Sequence, residues 1–392
     1  MPESKVRLQL SDICFELGLS PQFLFSLSER SDQLYESFEL AKKRGGKRRI
    51  CVPKTALKNV QRVLLQGFLS KYEMPRHVHG CVKGRSTVSN AAGHVNKPFV
   101  INIDLSDFFG SIKTARVLQI FKDVYGCDDE SATLLAKLCT NQDALPQGAP
   151  TSPILANISA LELDRELMAI CEKSVENYPF HYTRYVDDIT ISGGAELAFY
   201  LAEFYRAIER CGFRANPNKL RLARPNVRQK VTGLIVNQKL NPPKKLVRRV
   251  RQQLYYATKF GLVSHCDKRN ITPELFWQQI KGLIGYVRMS RRDLADDFEF
   301  QLSQVYQEAR VVTPNNEDLK LQTLREMILE EKTASFYYFE RYCRVAPVEI
   351  TLDEEGSKIV RAFEMFPNQR WRKFKISEIE FLANDEDSEL ER

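Results

Sequence analysis

The sequence predicts an α+β fold whose strands are mostly antiparallel. Segments with helical spacing of apolar residues flank every β-run. Two of the β-runs, within 180–193, lie close enough to read as one hairpin. No regular strand–helix alternation of the kind that builds a parallel sheet runs through the 392 residues.

Residues 1–40 read as helical, with apolar positions at Leu8, Leu10, Ile13, Phe15 and Leu17 and again at Phe23, Leu24 and Leu27. "KKRGGKRRICVPK" (42–54) reads as a basic turn broken at Gly45-Gly46 that leads into a short β-run. Residues 55–72 have the pattern of an amphipathic helix. "PFVINIDLSDFFGSI" (98–112) alternates as a strand, with Phe99, Ile101, Ile103 and Leu105 on one face and Val100, Asn102 and Asp104 on the other. Asp104 falls near its end, on the more polar face. Residues 114–140 read as helical. "LPQGAPTSP" (145–153) is a loop before a helix from about Ile154 to Cys171. After "FHYTRYVDDITISG" (180–193) come a helix (195–211), a turn at "NPNK" and two short β-runs around 220–240. "PPKKLVRRVRQQLYYATKFG" (242–261) has Pro at its start and Gly at its end, as a helix should. Residues 272–310 read as helical. An acidic tail begins near "TPNNEDLK" and mixes helix and strand patterns. The terminal "NDEDSELER" has a disordered composition.

Composition narrows the class. Hydrophobic content of 43% and charged content of 28% are ordinary for a soluble globular protein. No apolar run approaches the ~18 residues of a membrane span. The N-terminal stretch carries acids early and lacks a signal-peptide pattern, so it reads as a mature, cytoplasmic start. Nine scattered cysteines, without a Cys-x-x-Cys pair, speak against a zinc ribbon or a disulfide framework. The net charge is +8, unevenly spread. Residues 213–292 hold nineteen Lys/Arg against Asp267 and Glu274, a local +17, while 315–392 hold twelve bases against eighteen acids. The basic block suggests a nucleic-acid partner.

The adjacent Asp187 and Asp188 interrupt a β-branched stretch, "RYVDDITI". Mid-strand, they would face opposite ways. At a hairpin tip, the turn can bring both carboxylates to one side. Favoured hairpin turns carry Gly or Asn, and this one has neither, a hint of strain retained for function. Converging carboxylates repel one another unless a cation joins them. Carboxylates suit hard cations such as Mg²⁺, and Asp104 is the natural third ligand. Two such ions can stabilise the attacking and leaving oxygens of a phosphoryl transfer.

At these residues the chain resembles a known family. "YVDD", "VINIDLSDFF" some eighty residues earlier and "LPQGAPTSPILAN" between them resemble the palm motifs of reverse transcriptases, in the family's order and spacing. "KRRICVPK" resembles the basic fingers motif, "NPNKLRL" the lysine-bearing motif, and "VTGLIVN" the primer-contacting hairpin. Together they cover roughly residues 40–300. "NAAGH" (90–94) and "VTG" (231–233) resemble the two signatures of bacterial retron reverse transcriptases. The resemblance implies a right-hand polymerase: N-terminal helices and fingers over 1–99, palm over 100–240 with part of the fingers inserted at about 113–150, helical thumb over 241–312, and a small acidic C-terminal extension over 313–392. It implies that a dedicated structured non-coding RNA is copied into multicopy single-stranded DNA (msDNA), primed from an internal RNA 2′-hydroxyl. It also implies two Mg²⁺ ions, dNTPs, a host ribonuclease H, a separate effector protein and a role in anti-phage defence in a bacterial cytoplasm, without a membrane.

Residue by residue, the resemblance implies a metal cluster of Asp104, Asp187 and Asp188, aided by the Leu105 carbonyl, and Lys219 beside the leaving pyrophosphate. Phe109 stands where the family keeps its steric gate against ribonucleotides; packing in the core is the alternative reading. Gln147 and Gly148 match the dNTP-contacting loop. Arg49, with Lys47 or Arg48, is the candidate triphosphate clamp. Arg184 and Tyr185 flank the primer end. Asn90, His94, Val231, Thr232 and Gly233 are candidates for RNA contact, while His94 also fits a satisfied core histidine and Thr232 an ordinary strand residue. Lys244, Lys245, Arg248, Arg249 and Arg251 lie opposite the apolar stripe Leu246, Val250 and Leu254, so one helix face can pack while the other meets phosphates. Rival readings are a group II intron-like enzyme, which more often carries a Cys/His nuclease domain, and a scaffold of an RNA–DNA–effector complex. The aromatic "SFYYFERY" (335–342) bears on the second, as subdomain core or as an effector-docking surface.

Overall fold

The computed structural model describes residues 8–41, 46–173, 179–308, 317–339, 341–366 and 369–381. Residues 42–45 of the basic turn, the start of the acidic tail at 313–316 and the terminal "NDEDSELER" lie outside them. The chain divides into two compact units, Met1–Asn241 and Pro242–Arg392.

The first unit opens with helices α1 (Leu10–Leu17) and α2 (Pro21–Glu29). Residues 35–40, expected to be helical, instead fall in strand β1 (Tyr35–Ala41), paired antiparallel with β2 (Lys47–Pro53) from Tyr35↔Pro53 to Ala41↔Lys47. Pairing decides here, because "YESFELA" has no strong local preference and β2 offers it a complete partner. Helices α3 (Thr55–Gly67) and α4 (Thr87–Ala92) precede β3 (Phe99–Asp104). The expected strand to 112 stops early: Asp107 adopts φ +48° and starts the short helix α5 (Phe108–Ser111). The stretch 114–140 is two helices, α6 (Thr114–Asp123) and α7 (Asp129–Cys139), the second capped by Asp128, which accepts from Ser131 N at 2.8 Å. The helix expected over 154–171 breaks at Ala160 into α8 (Ser152–Ser159) and α9 (Leu161–Cys171). Strands β4 (His181–Tyr185) and β5 (Asp188–Gly193) form the expected hairpin, followed by a 3₁₀ turn and α10 (Leu201–Arg210). Three short runs follow where two were expected: β6 (Arg221–Ala223), β7 (Lys230–Val231) and β8 (Leu234–Ile235).

The central sheet has the order β4-β5-β3-β6, all antiparallel. Its register places Ile101 opposite Ile191 and Ile103 opposite Ile189. These four enter a core shared with Leu155, Leu163, Leu167, Phe204 and Ile208. The pleat therefore sends Asn102, Asp104, Asp188 and Thr190 to the other face. Burying one face fixes the register, since a slip by one residue would put the isoleucines in water and the aspartates in the core.

The second unit begins with α11 (Lys244–Phe260), α12 (Leu262–Asp267), α13 (Pro273–Arg288) and α14 (Arg292–Glu308), packed around Val250, Leu254, Phe276, Ile280 and Phe298. Next come α15 (Glu317–Leu329) and strands β9 (Ala334–Tyr338), β10 (Arg341–Leu352), β11 (Lys358–Phe366), β12 (Arg370–Lys375) and β13 (Ile379–Phe381). They form one antiparallel sheet in the order β12-β11-β10-β9-β13. Phe336 packs into the core between this sheet and α15, while its neighbour Tyr337 packs into the core of the four preceding helices. Consecutive strand residues point to opposite faces, so one strand serves two cores. This much of the aromatic run is core. Among the described residues, no helix is long and apolar enough to cross a membrane.

Candidate active site

Asp104 and Asp188 are directly opposed across β3 and β5. Asp187 lies between β4 and β5, in a two-residue turn whose register closes Tyr185↔Asp188. The turn's other residue, Val186, has φ +59°, a backbone conformation that a β-branched residue rarely adopts. The expected strain is present. The Leu105 amide donates to the Asp187 carbonyl at 3.0 Å, tying the turn to the end of β3.

The three carboxylates strain one another electrostatically. Burial and the charge of Asp104 raise the Asp187 pKa, against the opposing pull of its own backbone amide, Lys219 and Arg48. Burial and the charges of Asp187 and Asp104 push Asp188 up to about 6, although one side of it is open to solvent. The Lys219 ammonium donates to both oxygens of the buried Asp104, each at 2.7 Å. Among the described residues, no three His, Cys, Asp or Glu side chains stand in positions from which they could together hold a metal ion. The donors nonetheless fit a hard cation: hard oxygens, clustered like charges, and a cation already seated on Asp104.

A groove of about 320 Å³ runs from this cluster along the polar face of the sheet. Asn102, Thr190 and Tyr185 line it, with Lys219, Arg221 and Lys230 as its cations and Thr87, Thr232 and Gly233 along its far side. Two sequence motifs meet there. Thr232, at φ +43° in the turn between β7 and β8, donates to the Thr87 carbonyl at 3.1 Å and accepts from Asn90 Nδ2 at 3.4 Å.

Several expected contacts need correcting. His94 is completely buried, and its ring nitrogens bond Ser192 and Thr183, each at 2.7 Å. It is a satisfied core histidine and presents nothing to RNA. Asn90 and Val231 are also fully buried, so their side chains brace the groove from behind. Arg184 pairs with Ile189 in the register and therefore points into the core, away from any primer. There it forms a buried ion pair with Asp164 at 2.7 Å. Burial pushes the Asp164 carboxyl up, but hydrogen bonds from Arg184 and His77 outweigh it and leave its pKa below the usual range. Tyr185, opposite Asp188, remains on the groove side.

On β2 the three candidate cations separate by alternation. Lys47 pairs with Glu39 at 2.5 Å, and Arg49 donates to Ser37 at 3.3 Å. Arg48 takes the other face, and its charge is the one of the three that acts on Asp187. The Gln147 carbonyl accepts from Cys51 N at 2.9 Å, docking the 145–153 loop on β2. Gly148 has φ +137°, and a Cβ there would fall 2.7 Å from the Cys51 carbonyl oxygen, so only glycine fits. Phe108 is core, whereas Phe109 is partly exposed and stands edge-on to it at 5.6 Å. In the second unit, Lys244, Lys245, Arg248, Arg249 and Arg251 are all exposed on α11, while Val250 and Leu254 are buried.

Sequence reasoning missed Asp164 and Asn157, both nearly or fully buried. The signal was there: two polar residues seven apart, on the apolar face of a helical pattern.

Residues 40–241 match the family model for reverse transcriptase (RNA-dependent DNA polymerase). The retron Mx162 reverse transcriptase of Myxococcus xanthus is 32% identical over 74% of this chain and 65% of its own length. The retron Mx65 reverse transcriptase of the same organism is 32% identical over 73% of this chain and 69% of its own. The retron Ec86 reverse transcriptase of Escherichia coli is 31% identical over 58% of this chain and 71% of its own. The chain thus spans slightly less than two thirds of the Mx162 relative.

Proposed function

The chain belongs to the retron reverse transcriptases, and from that premise we propose that it copies a dedicated structured RNA into single-stranded DNA at the Asp104–Asp187–Asp188 cluster. The observation that carries this reading is the register that sets Asp104 against Asp188, beside a strained turn bearing Asp187. The charge of Asp104 raises the Asp187 pKa and the charges of both raise that of Asp188, a repulsion that a bound cation relieves.

Asp104, Asp187 and Asp188, with the Leu105 carbonyl, would hold divalent metal, taken here as two Mg²⁺. Bound metal would stabilise charge on the attacking and leaving oxygens of the phosphoryl transfer. Lys219 offsets negative charge at the same place and lies within reach of a leaving pyrophosphate. Arg48, whose charge acts on Asp187, suits the triphosphate, which its guanidinium can grip through two oxygens. Gln147 and Gly148 place backbone against the incoming nucleotide, and Phe109 sits beneath its sugar, where a ribose 2′-hydroxyl would clash. Tyr185, Thr232, Gly233, Arg221 and Lys230 line the groove for the primer end. The exposed bases of α11 supply salt-dependent attraction for backbone phosphates. Priming from an RNA 2′-hydroxyl, retention of the RNA–DNA product, template removal by a host ribonuclease H, and a defence role with a separate effector complete the proposal.

The test is a paired measurement on Asp187→Ala/Asp188→Ala. dNTP incorporation should vanish while binding of the cognate RNA persists, because the bases of α11 and the groove cations Arg221 and Lys230 are untouched. A double variant that still extends a primer refutes the metal assignment.

A further inference from the structure

We infer that Arg184, with Asp164 and Asn157, is a positioning device that holds the strained Val186-Asp187 turn in its metal-binding geometry. The inference rests on the metal-dependent reading above.

Arg184 is fully buried, and its guanidinium places all five N–H groups. Nε and Nη2 grip the two Asp164 oxygens, each at 2.7 Å. Nη1 donates to Asn157 Oδ1 at 2.9 Å, and Nη2 to the Asn157 carbonyl at 3.1 Å. The remaining donor of Nη1 reaches the Val186 carbonyl at 3.1 Å. That carbonyl belongs to the residue with φ +59°, and the next residue is Asp187. One planar group thus links helices α8 and α9 to the turn itself. Tyr182 Oη also donates to Asp164, at 2.5 Å, which fixes the carboxylate that fixes the arginine.

The turn is clamped from its other side as well. The segment 77–79 runs along β4: Arg184 N donates to the His77 carbonyl at 2.9 Å, and His79 N donates to the Arg184 carbonyl at 2.8 Å. Asn157 Nδ2 donates to the Gly80 carbonyl at 2.8 Å. Gly80 lies so close to the turn that a Cβ on it would fall 2.5 Å from Val186 N. Asn157 therefore holds both the arginine and the loop pressed on Val186. A strained backbone persists only where its surroundings over-determine it, and here they do so from two directions. A lysine at 184 could not reproduce a fixed five-donor fork.

The closing experiment uses Asn157→Ala and Arg184→Lys in the full chain. If Arg184→Lys fails to fold, Asn157→Ala carries the test, since it keeps the Arg184–Asp164 pair. Mn²⁺ affinity is read from the free-ion electron paramagnetic resonance signal, alongside thermal melting and the Mg²⁺ dependence of primer extension. At temperatures well below melting, the variants should bind Mn²⁺ at least tenfold more weakly and need correspondingly more Mg²⁺, with cognate RNA affinity unchanged. A folded variant with wild-type Mn²⁺ affinity overturns the inference, even if it melts earlier, because a merely structural brace would lower melting alone. If the wild-type chain itself shows no metal-dependent extension, the reading of the site fails instead.

Discussion

Replacing Asp188 with Asn should make the protein more stable while destroying its proposed chemistry. The Asp188 carboxyl sits at about 6 in place of 3.8. That difference corresponds to about 3 kcal/mol for a fully desolvated group. Asp188 is open to water on one side, and solvent screening leaves on the order of 1 kcal/mol. The folded state keeps a proton that the unfolded chain releases between about pH 4 and pH 6. Stability attributable to this group is therefore lost as pH rises through that window, and stays lost above it. Asn carries no charge to repel Asp187 and Asp104, so Asp188→Asn should gain about 1 kcal/mol at pH 8 and nothing at pH 4. For a unit the size of Met1–Asn241 that amounts to roughly 2–4 °C in melting temperature. The assay is circular-dichroism melting in chelator at both pH values, then with Mg²⁺ added. Mg²⁺ should stabilise the wild type more than the variant and narrow the gap. An Asn variant that melts at or below the wild type at pH 8 in chelator would refute the like-charge account of the cluster.

Three further outcomes are expected. Phe109→Val should raise ribonucleotide use relative to dNTP use in single-nucleotide incorporation; an unchanged ratio in a folded variant would return Phe109 to a packing role. Gly148→Ala forces a side chain against the Cys51 carbonyl at a strained φ, a cost of about 1–3 kcal/mol. It should undock the loop from β2 and lower dNTP incorporation at least tenfold, with a raised KM for dNTP; wild-type kinetics would show that the contact is not needed. Thr232→Val leaves the Asn90 amide and the Thr87 carbonyl without their partner, costing about 1–2 kcal/mol. It should weaken discrimination for the cognate RNA in competition more than extension of an artificial primer-template, and equal losses in both assays would count against a role in RNA choice.

The parts of the site legible in the sequence are those that depend on alternation and turn chemistry. Asp104 at a strand end, the hairpin around Asp187 and Asp188, and the amphipathic α11 all follow from local pattern, and the structure has them in place. The wrong choice of turn residues pointed to strain, and Val186 carries it. What stayed hidden depends on pairing between distant segments. Residues 35–41 become a strand because β2 lies beside them. Arg184 reads as a primer contact beside two aspartates, yet pairing with Ile189 sends it to the opposite face. Of three adjacent cations on β2, only the placement of the hairpin identifies Arg48 as the one acting on Asp187.

The two short signatures at 90–94 and 231–233 change meaning once their burial is known. A motif that recurs as Asn-Ala-x-x-His invites the reading that both polar side chains touch the substrate. Here His94 bonds two hydroxyls of the central hairpin, and Asn90 reaches Thr232 across 142 positions of chain. On the proposed reading, Asn90 would act on RNA through the Thr232-Gly233 turn, which borders the same groove as Asp104 and Asp188, and His94 through the β4–β5 hairpin. His94, with both ring nitrogens bonded in the core, fixes its arrangement sharply, because any other leaves a donor or acceptor unpaired there. The signatures thus set the shape of the groove at a fixed distance from the carboxylates. Shape, rather than backbone charge, is what can distinguish one folded RNA from another. On the proposed reading, the exposed bases of α11 would attract any RNA, and selection would act through the geometry behind the groove.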